Sequence, residues 1–159
     1  MNDPKLVGIA QFAIAKAPDE LCCLGLGSCV AVFIYDPQLK TGGVVHALLP
    51  RAPVGKDDSQ TKYADTGVKK LHAEMVHRGG VRGRMRAKII GGAQMFPNLD
   101  VKANDIGAEN CKEARKALHD LGVPVVAEDV LGRHGRSATF SMETGKVLIK
   151  GAFLKDKVI

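Results

Sequence analysis

The stretch "CVAVFIYDPQLKTGGVVHALL", residues 29–49, decides the fold. Its ends are two short apolar runs, 29–36 and 43–49, rich in the β-branched and aromatic side chains that suit a pleated surface. Between them "DPQLKTGG" carries a proline and paired glycines, so the runs read as adjacent antiparallel strands joined by a hairpin loop. Similar runs follow outward at 6–14 ("LVGIAQFAI"), 87–91, 123–128, 137–143 and 146–151, with "ETGK" as a tighter turn between the last two. Residues 25–28 read as a glycine-rich turn ahead of the first strand of the hairpin. Consecutive hairpins predict a mixed, largely antiparallel sheet rather than repeated βαβ units.

Two stretches have the helical period instead. In 61–80, Ala64, Val68, Leu71 and Met75 fall on one face, and Gly79 and Gly80 stop the helix. In 104–124, Cys111, Ala114, Leu118 and Leu121 form a second stripe. Asn104 or Asp105 is expected to cap it, and Gly122 with Pro124 to end it. Two helices covering a sheet give a layered α+β fold. The 159 residues are expected to make one domain, 1–159, large enough to bury a core without staples.

Composition narrows the function. No apolar run approaches the ~20 residues that cross a bilayer, and "MNDPKLVGIA" lacks a secretory leader, so a cytoplasmic protein that is not membrane-inserted is expected. Four cysteines, with Cys22 and Cys23 adjacent, read as thiols rather than a disulfide framework. The net charge of +6 favours acidic partners. However, the densest basic run, Arg78, Arg82, Arg84, Arg86 and Lys88, has no aromatic residue on which a base could stack. It reads as a solvated loop, and nucleic acid is not expected as a partner.

Several motifs fail on spacing. Val30 stands where the third glycine of a dinucleotide fingerprint belongs, and a strand follows. His72 and His77 are five apart and share no helix face, and there is no C-x-x-C, so neither a metal nor a cofactor is expected. What remains is Cys29 with His46. A thiol becomes a nucleophile when a nearby imidazole takes its proton, and that imidazole must itself be held. Simple pairing about the loop offsets the two along their strands, so a bend at Gly25, Gly27 or Gly42–Gly43 is expected to bring them together. From the residues alone, Cys29 reads equally as a buried core thiol or a nucleophile, and His46 as a core or a catalytic histidine. Met95 and Phe96 read as core packing, with an exposed partner-docking patch as the alternative, and Gly91–Gly92 as a close backbone approach or a strand end.

Six blocks, in order, resemble the CheD family of chemotaxis proteins, the chemoreceptor glutamine deamidases: "LGLGSCVAV", "GGVVHALLP", "KYADTGV", "KIIGGAQMF", "DIGAEN" and "TGKVLI". The resemblance implies an α/β/β layered sandwich like that of the deamidating cytotoxic necrotising factors. It places the family's catalytic cysteine on Cys29 and its histidine on His46. The third position, usually threonine, is Cys23 here. A main-chain carbonyl near residue 23 is the favoured holder of the imidazole whatever that side chain is, the alternatives being the Cys23 sulfur as a weaker third catalytic member or a slow enzyme that serves mainly as a binding partner. Backbone amides around Gly27, Ser28 and Cys29 are the implied oxyanion donors. The implied reaction is hydrolysis of glutamine side-chain amides in methyl-accepting chemoreceptors, with glutamyl methyl esters as further substrates. The CheC phosphatase is an implied partner. The alternative is a mainly non-catalytic module that binds CheC or receptors.

Overall fold

The computed structural model describes residues 3–55, 59–96, 106–152 and 154–159. The expected capping residues Asn104 and Asp105 lie outside this set. The elements are β1 (Lys5–Leu6), β2 (Phe12–Lys16), β3 (Glu20–Leu26), β4 (Val30–Asp36), β5 (Thr41–Ala47), α1 (Ala64–His77), β6 (Arg86–Gly91), α2 (Ile106–Asp120), β7 (Val125–Val130), β8 (Arg136–Ser141), β9 (Val147–Gly151) and β10 (Lys157–Val158).

The hairpin that opened the sequence is present. β4 and β5 pair antiparallel from Val30↔Ala47 to the closing pair Asp36↔Thr41. They form the middle of a five-stranded sheet ordered β2-β5-β4-β6-β7, and a second five-stranded sheet runs β1-β3-β8-β9-β10. Among the described strands, β1–β3 and β6–β7 pair in parallel and the other pairs are antiparallel, so the mixed, mainly antiparallel α+β class holds. The β6–α2–β7 crossover is a single βαβ unit.

The sheets stack as α/β/β. One core lies between the helices and the first sheet and holds Val30, Val32 and Ile34 of β4 against Val68, Leu71, Ala114 and Leu118. The other lies between the sheets, where Ala31, Phe33, Val44 and Ile90 meet Leu21, Cys23, Phe140 and Ile149. Phe33 and Phe140 pack ring to ring at 4.5 Å. β4 is thus buried on both faces, which is why its sequence is a continuous apolar run rather than an alternating one. The helix stripes behave as the period requires. Ala64, Val68, Leu71 and Met75 are all buried, as are Cys111, Ala114 and Leu118. Gly122, at φ +73, ends α2, with its amide bonded to His119 O and that of Val123 to Leu118 O.

Three expectations change. Residues 6–14 are not one strand: β1 joins one sheet and β2 the other. Between them Ala10 turns through φ +65, and the Gln11 side chain accepts the Gly8 amide at 2.9 Å. The turn expected at 25–28 begins later. Gly25 takes φ +62 as a bulge within β3, with the register shifting between Cys23 and Leu26, and the strand continues past it. Met95 and Phe96 are not core: they are 41% and 65% exposed.

Candidate active site

β3 and β4 belong to different sheets, so Gly27–Ser28–Cys29 is the crossing between layers. Each of its carbonyls is anchored. Gly27 O accepts from Ala93 N at 2.8 Å, Cys29 O from Gly92 N at 2.8 Å, and Ser28 O from Asn110 Nδ2 at 2.8 Å. The close approach foreseen at Gly91–Gly92 is therefore real. A Cβ on Gly91 would lie 2.3 Å from Cys29 O, and one on Gly92 would lie 2.2 Å from Cys111 Sγ.

His46 pairs with Ala31 across the ladder, so it faces the same inter-sheet space as Ala31 and Cys29. The offset from Cys29 is only two residues, a diagonal neighbour on one face. Such pairs sit about 7–8 Å apart at the backbone, within reach of two side chains. Of the positions expected to bend, Gly25 does so, as the bulge within β3. Gly42 and Gly43 serve packing instead: a Cβ there would strike Phe33 at 2.8 Å and Leu71 at 2.7 Å.

The imidazole is oriented by main chain. His46 Nδ1 is 3.0 Å from Val7 O, and Val7 is itself pinned by its amide to Cys22 O at 2.8 Å. A carbonyl can only accept, so Nδ1 carries the proton and Nε2 presents its lone pair. Nε2 is buried and has no hydrogen-bond partner among the described residues. The orienting group is thus the Val7 carbonyl, neighbour to Cys22 across β1–β3, and not the Cys23 side chain. Cys23 lies on β3 facing the same inter-sheet core and is fully buried. Burial, with the nearby Cys22 and Cys29 thiols, pushes its pKa up to about 12.

Cys29 and His46 are 7% and 2% exposed. Burial raises the Cys29 thiol above its ordinary value, opposed by a hydrogen bond from its own amide. Burial lowers His46, opposed by the Val7 carbonyl. Both groups are therefore neutral near pH 7, an acid and a base awaiting proton transfer. A cavity of about 180 Å³ beside His46 is lined also by Cys22, Val7 and Gly8 and by the exposed side chains of Leu6, Ile9 and Leu24.

Two site groups escaped the sequence. The Val7 carbonyl carries no side-chain signal. Asn110 did carry one: it is a fully buried polar residue on the apolar stripe of α2, four residues before Ala114. Other polar side chains serve structure. Asp65 Oδ1 accepts from the Thr66 and Ala52 amides at 2.7 and 3.1 Å, at the start of α1. Within the basic run, Arg84 binds the buried carboxylate of Asp36 at 2.8 Å, Arg86 donates to Met85 O and Lys88 to Gly145 O. Burial pushes the Asp36 carboxyl up, yet the Arg84 bond and the Val81 and Leu39 amides outweigh it and hold the group below the usual carboxylate range.

A three-layer α/β/β protein with a thiol and a carbonyl-held imidazole on one face of adjacent strands defines the class. Comparison with known proteins sharpens it. The family model described as CheD chemotactic sensory transduction matches residues 48–151. A Methanosarcina acetivorans protein named "Probable chemoreceptor glutamine deamidase CheD 1" is 42% identical, with both chains fully covered. The Thermotoga maritima "Chemoreceptor glutamine deamidase CheD" is 44% identical, covering 92% of this chain and 90% of its own. This chain belongs to the CheD family. In fold it is similar to the Bacillus licheniformis hypothetical protein YfiH, with a TM-score of 0.50 and 18% identity over 74% of this chain, which spans 49% of that one.

Proposed function

We propose that residues 1–159 act as one unit, a cysteine-dependent amidohydrolase that converts glutamine side chains of methyl-accepting chemoreceptors to glutamate. The family names of the relatives support the substrate class. The observation that carries the chemistry is the unpartnered Nε2 of His46, aimed into the inter-sheet space by the Val7 carbonyl, diagonal to Cys29.

The steps follow from the two neutral groups. His46 Nε2 takes the Cys29 thiol proton as sulfur attacks the carboxamide carbon. The C=O electron pair moves onto oxygen, and the oxyanion is met by backbone N–H groups of the Gly27–Cys29 crossing. Collapse of the intermediate breaks the C–N bond, and the imidazolium returns its proton so that ammonia leaves. His46 then deprotonates a water that attacks the thioester, and expulsion of the Cys29 sulfur leaves glutamate. A glutamyl methyl ester fits the same cycle with methanol as the leaving group.

The enzyme works in the cytoplasm, where receptor signalling segments are reached, and CheC is its regulatory partner where present. The proposal includes no nucleic-acid partner, and it is supported by Arg84, Arg86 and Lys88 of the basic run, which bond within the protein. A second reading, a docking module with little turnover, draws on the burial of Cys29 and its raised pKa. Incubation with a receptor cytoplasmic fragment, read by mass spectrometry, separates the two. Site-specific glutamine-to-glutamate conversion that vanishes in a folded Cys29→Ala variant supports the enzyme. Receptor binding without conversion by the unmutated protein overturns it.

A further inference from the structure

Asn110 lies between the two halves of the site. Its Nδ2 donates to Ser28 O at 2.8 Å and to Leu48 O at 3.1 Å. Ser28 immediately precedes the candidate nucleophile, and Leu48 stands two residues beyond His46. The β4–β5 ladder ends at Val30↔Ala47, and the Leu48 and Leu49 amides turn away to Lys62 O. Where the ladder stops, one side-chain amide bridges the two strands. Two carbonyls facing the same end of the amide fix its orientation, because only NH₂ can donate to both.

The consequence lies on the far side of the peptide plane. A trans peptide holds C=O of one residue and N–H of the next antiparallel. Fixing Ser28 O toward Asn110 therefore fixes the direction of the Cys29 N–H, the amide of the same residue that carries the attacking sulfur. Gly27 O and Cys29 O, held by Ala93 N and Gly92 N, prevent the neighbouring peptides from compensating if Ser28 O is released. Asn110 Oδ1 is buried with no partner among the described residues. An unmet buried acceptor is costly and calls for an explanation, which the two-carbonyl grip supplies.

We propose that Asn110 is a positioning residue for the oxyanion hole: by gripping Ser28 O and Leu48 O it aims the Cys29 N–H at the developing oxyanion and locks the nucleophile crossing to the histidine strand. It rests on the reading of Cys29 as an acyl-transfer nucleophile, but its test does not require receptor deamidation.

The variant is Asn110→Asp, which keeps size and shape and replaces the donor with an acceptor. Two reactions of Cys29 are compared, each located by peptide mass spectrometry: acyl transfer from p-nitrophenyl acetate, which passes through an oxyanion, and alkylation by iodoacetamide, which does not. The expected result is acyl transfer slowed on the order of 10²-fold, the scale of losing one oxyanion donor, with Cys29 alkylation nearly unchanged. Asn110→Ala is expected to give the same ratio, so the effect does not depend on the new carboxyl group. Acyl transfer within about threefold of the unmutated protein overturns the proposal. So does a parallel fall in both reactions with a lowered melting temperature, which would make Asn110 merely structural. If the unmutated protein acylates at Cys29 but does not deamidate receptor fragments, the substrate assignment fails while the ratio still decides the role of Asn110. If acylation occurs only at another cysteine, both readings are overturned.

Discussion

Replacing Gly91 by alanine tests whether the grip of β6 on the nucleophile crossing matters. Gly91 sits at φ +113, and its added Cβ would lie 2.3 Å from Cys29 O, where real contacts essentially never fall below 3.0 Å. The backbone strain alone costs about 1–3 kcal/mol. The overpacked contact adds about 1–2 kcal/mol, and weakening the 2.8 Å bond from Gly92 N to Cys29 O adds about 1 kcal/mol. The total of about 3–6 kcal/mol corresponds to a melting temperature lower by about 6–24 °C for a chain of this size. Gly122→Ala is the control. It also sits at positive φ, +73, but a Cβ there meets nothing within 4 Å, so only the strain of about 1–2 kcal/mol remains. Thermal melts by far-ultraviolet circular dichroism compare the two, and a rate measurement on folded protein follows. The obstructed carbonyl belongs to Cys29 itself, so the nucleophile shifts with it, and a displacement near 1 Å costs about 10²-fold in rate. If Gly91→Ala melts with Gly122→Ala and keeps a rate within about threefold of the unmutated protein, the close approach is incidental and the reasoning fails.

The pH dependence has a definite sign. His46 is held below its ordinary value of 6.5 by burial, so the acid limb of kcat/KM is expected below pH 6.5 as Nε2 becomes protonated, and a limb centred above pH 7 would contradict it. His72 is lowered too, by burial and then by Arg82. Both therefore stabilise the fold fully above pH 6.5, and that contribution is lost as pH falls from there toward their depressed folded values. Equilibrium denaturation from pH 7.5 downward reads this, and His72→Gln should flatten the slope. At position 23, Cys23→Thr is expected to change kcat by less than about threefold, under ~0.7 kcal/mol, because the Val7 carbonyl already holds the imidazole. Val7→Pro, which removes the amide bonded to Cys22 O, should lower kcat more. A large gain from Cys23→Thr would return the orienting role to that side chain.

The parts legible in sequence share a property: their signal is local. The α1 stripe and its glycine stop, and the loop "DPQLKTGG" closing at Asp36↔Thr41, depend on neighbours a few residues away. The run 6–14 misled because alanine gives no warning that it will adopt φ +65 at position 10, where the chain leaves one sheet for the other. Gly25 misled in the opposite sense, since glycine marks a bulge as readily as a turn. Met95 and Phe96 look like core by composition, but exposure is decided by where the loop after β6 runs, and no periodicity records that.

The site follows the same division. Cys29 and His46 stood out because a thiol and an imidazole are reactive side-chain types and these two lie on a readable hairpin. Their geometry is set by groups distant in sequence: a carbonyl at Val7, amides at Gly92 and Ala93, and the Asn110 side chain. Three of the blocks that carried the family resemblance, "LGLGSCVAV", "KIIGGAQMF" and "DIGAEN", look unrelated along the chain. In space they form one device. Gly107 lets α2 approach the end of β6 so closely that a Cβ there would lie 2.5 Å from Ala93 O and 2.6 Å from Gly92 O. That approach sets Asn110, one turn further along α2, against Ser28 O, while Gly92 and Ala93 hold the carbonyls on either side of it. A larger residue at Gly107 would push α2 away and release Ser28 O without touching either Cys29 or His46. The glycines of these blocks are therefore part of the alignment of Cys29, although none of them carries a reactive side chain.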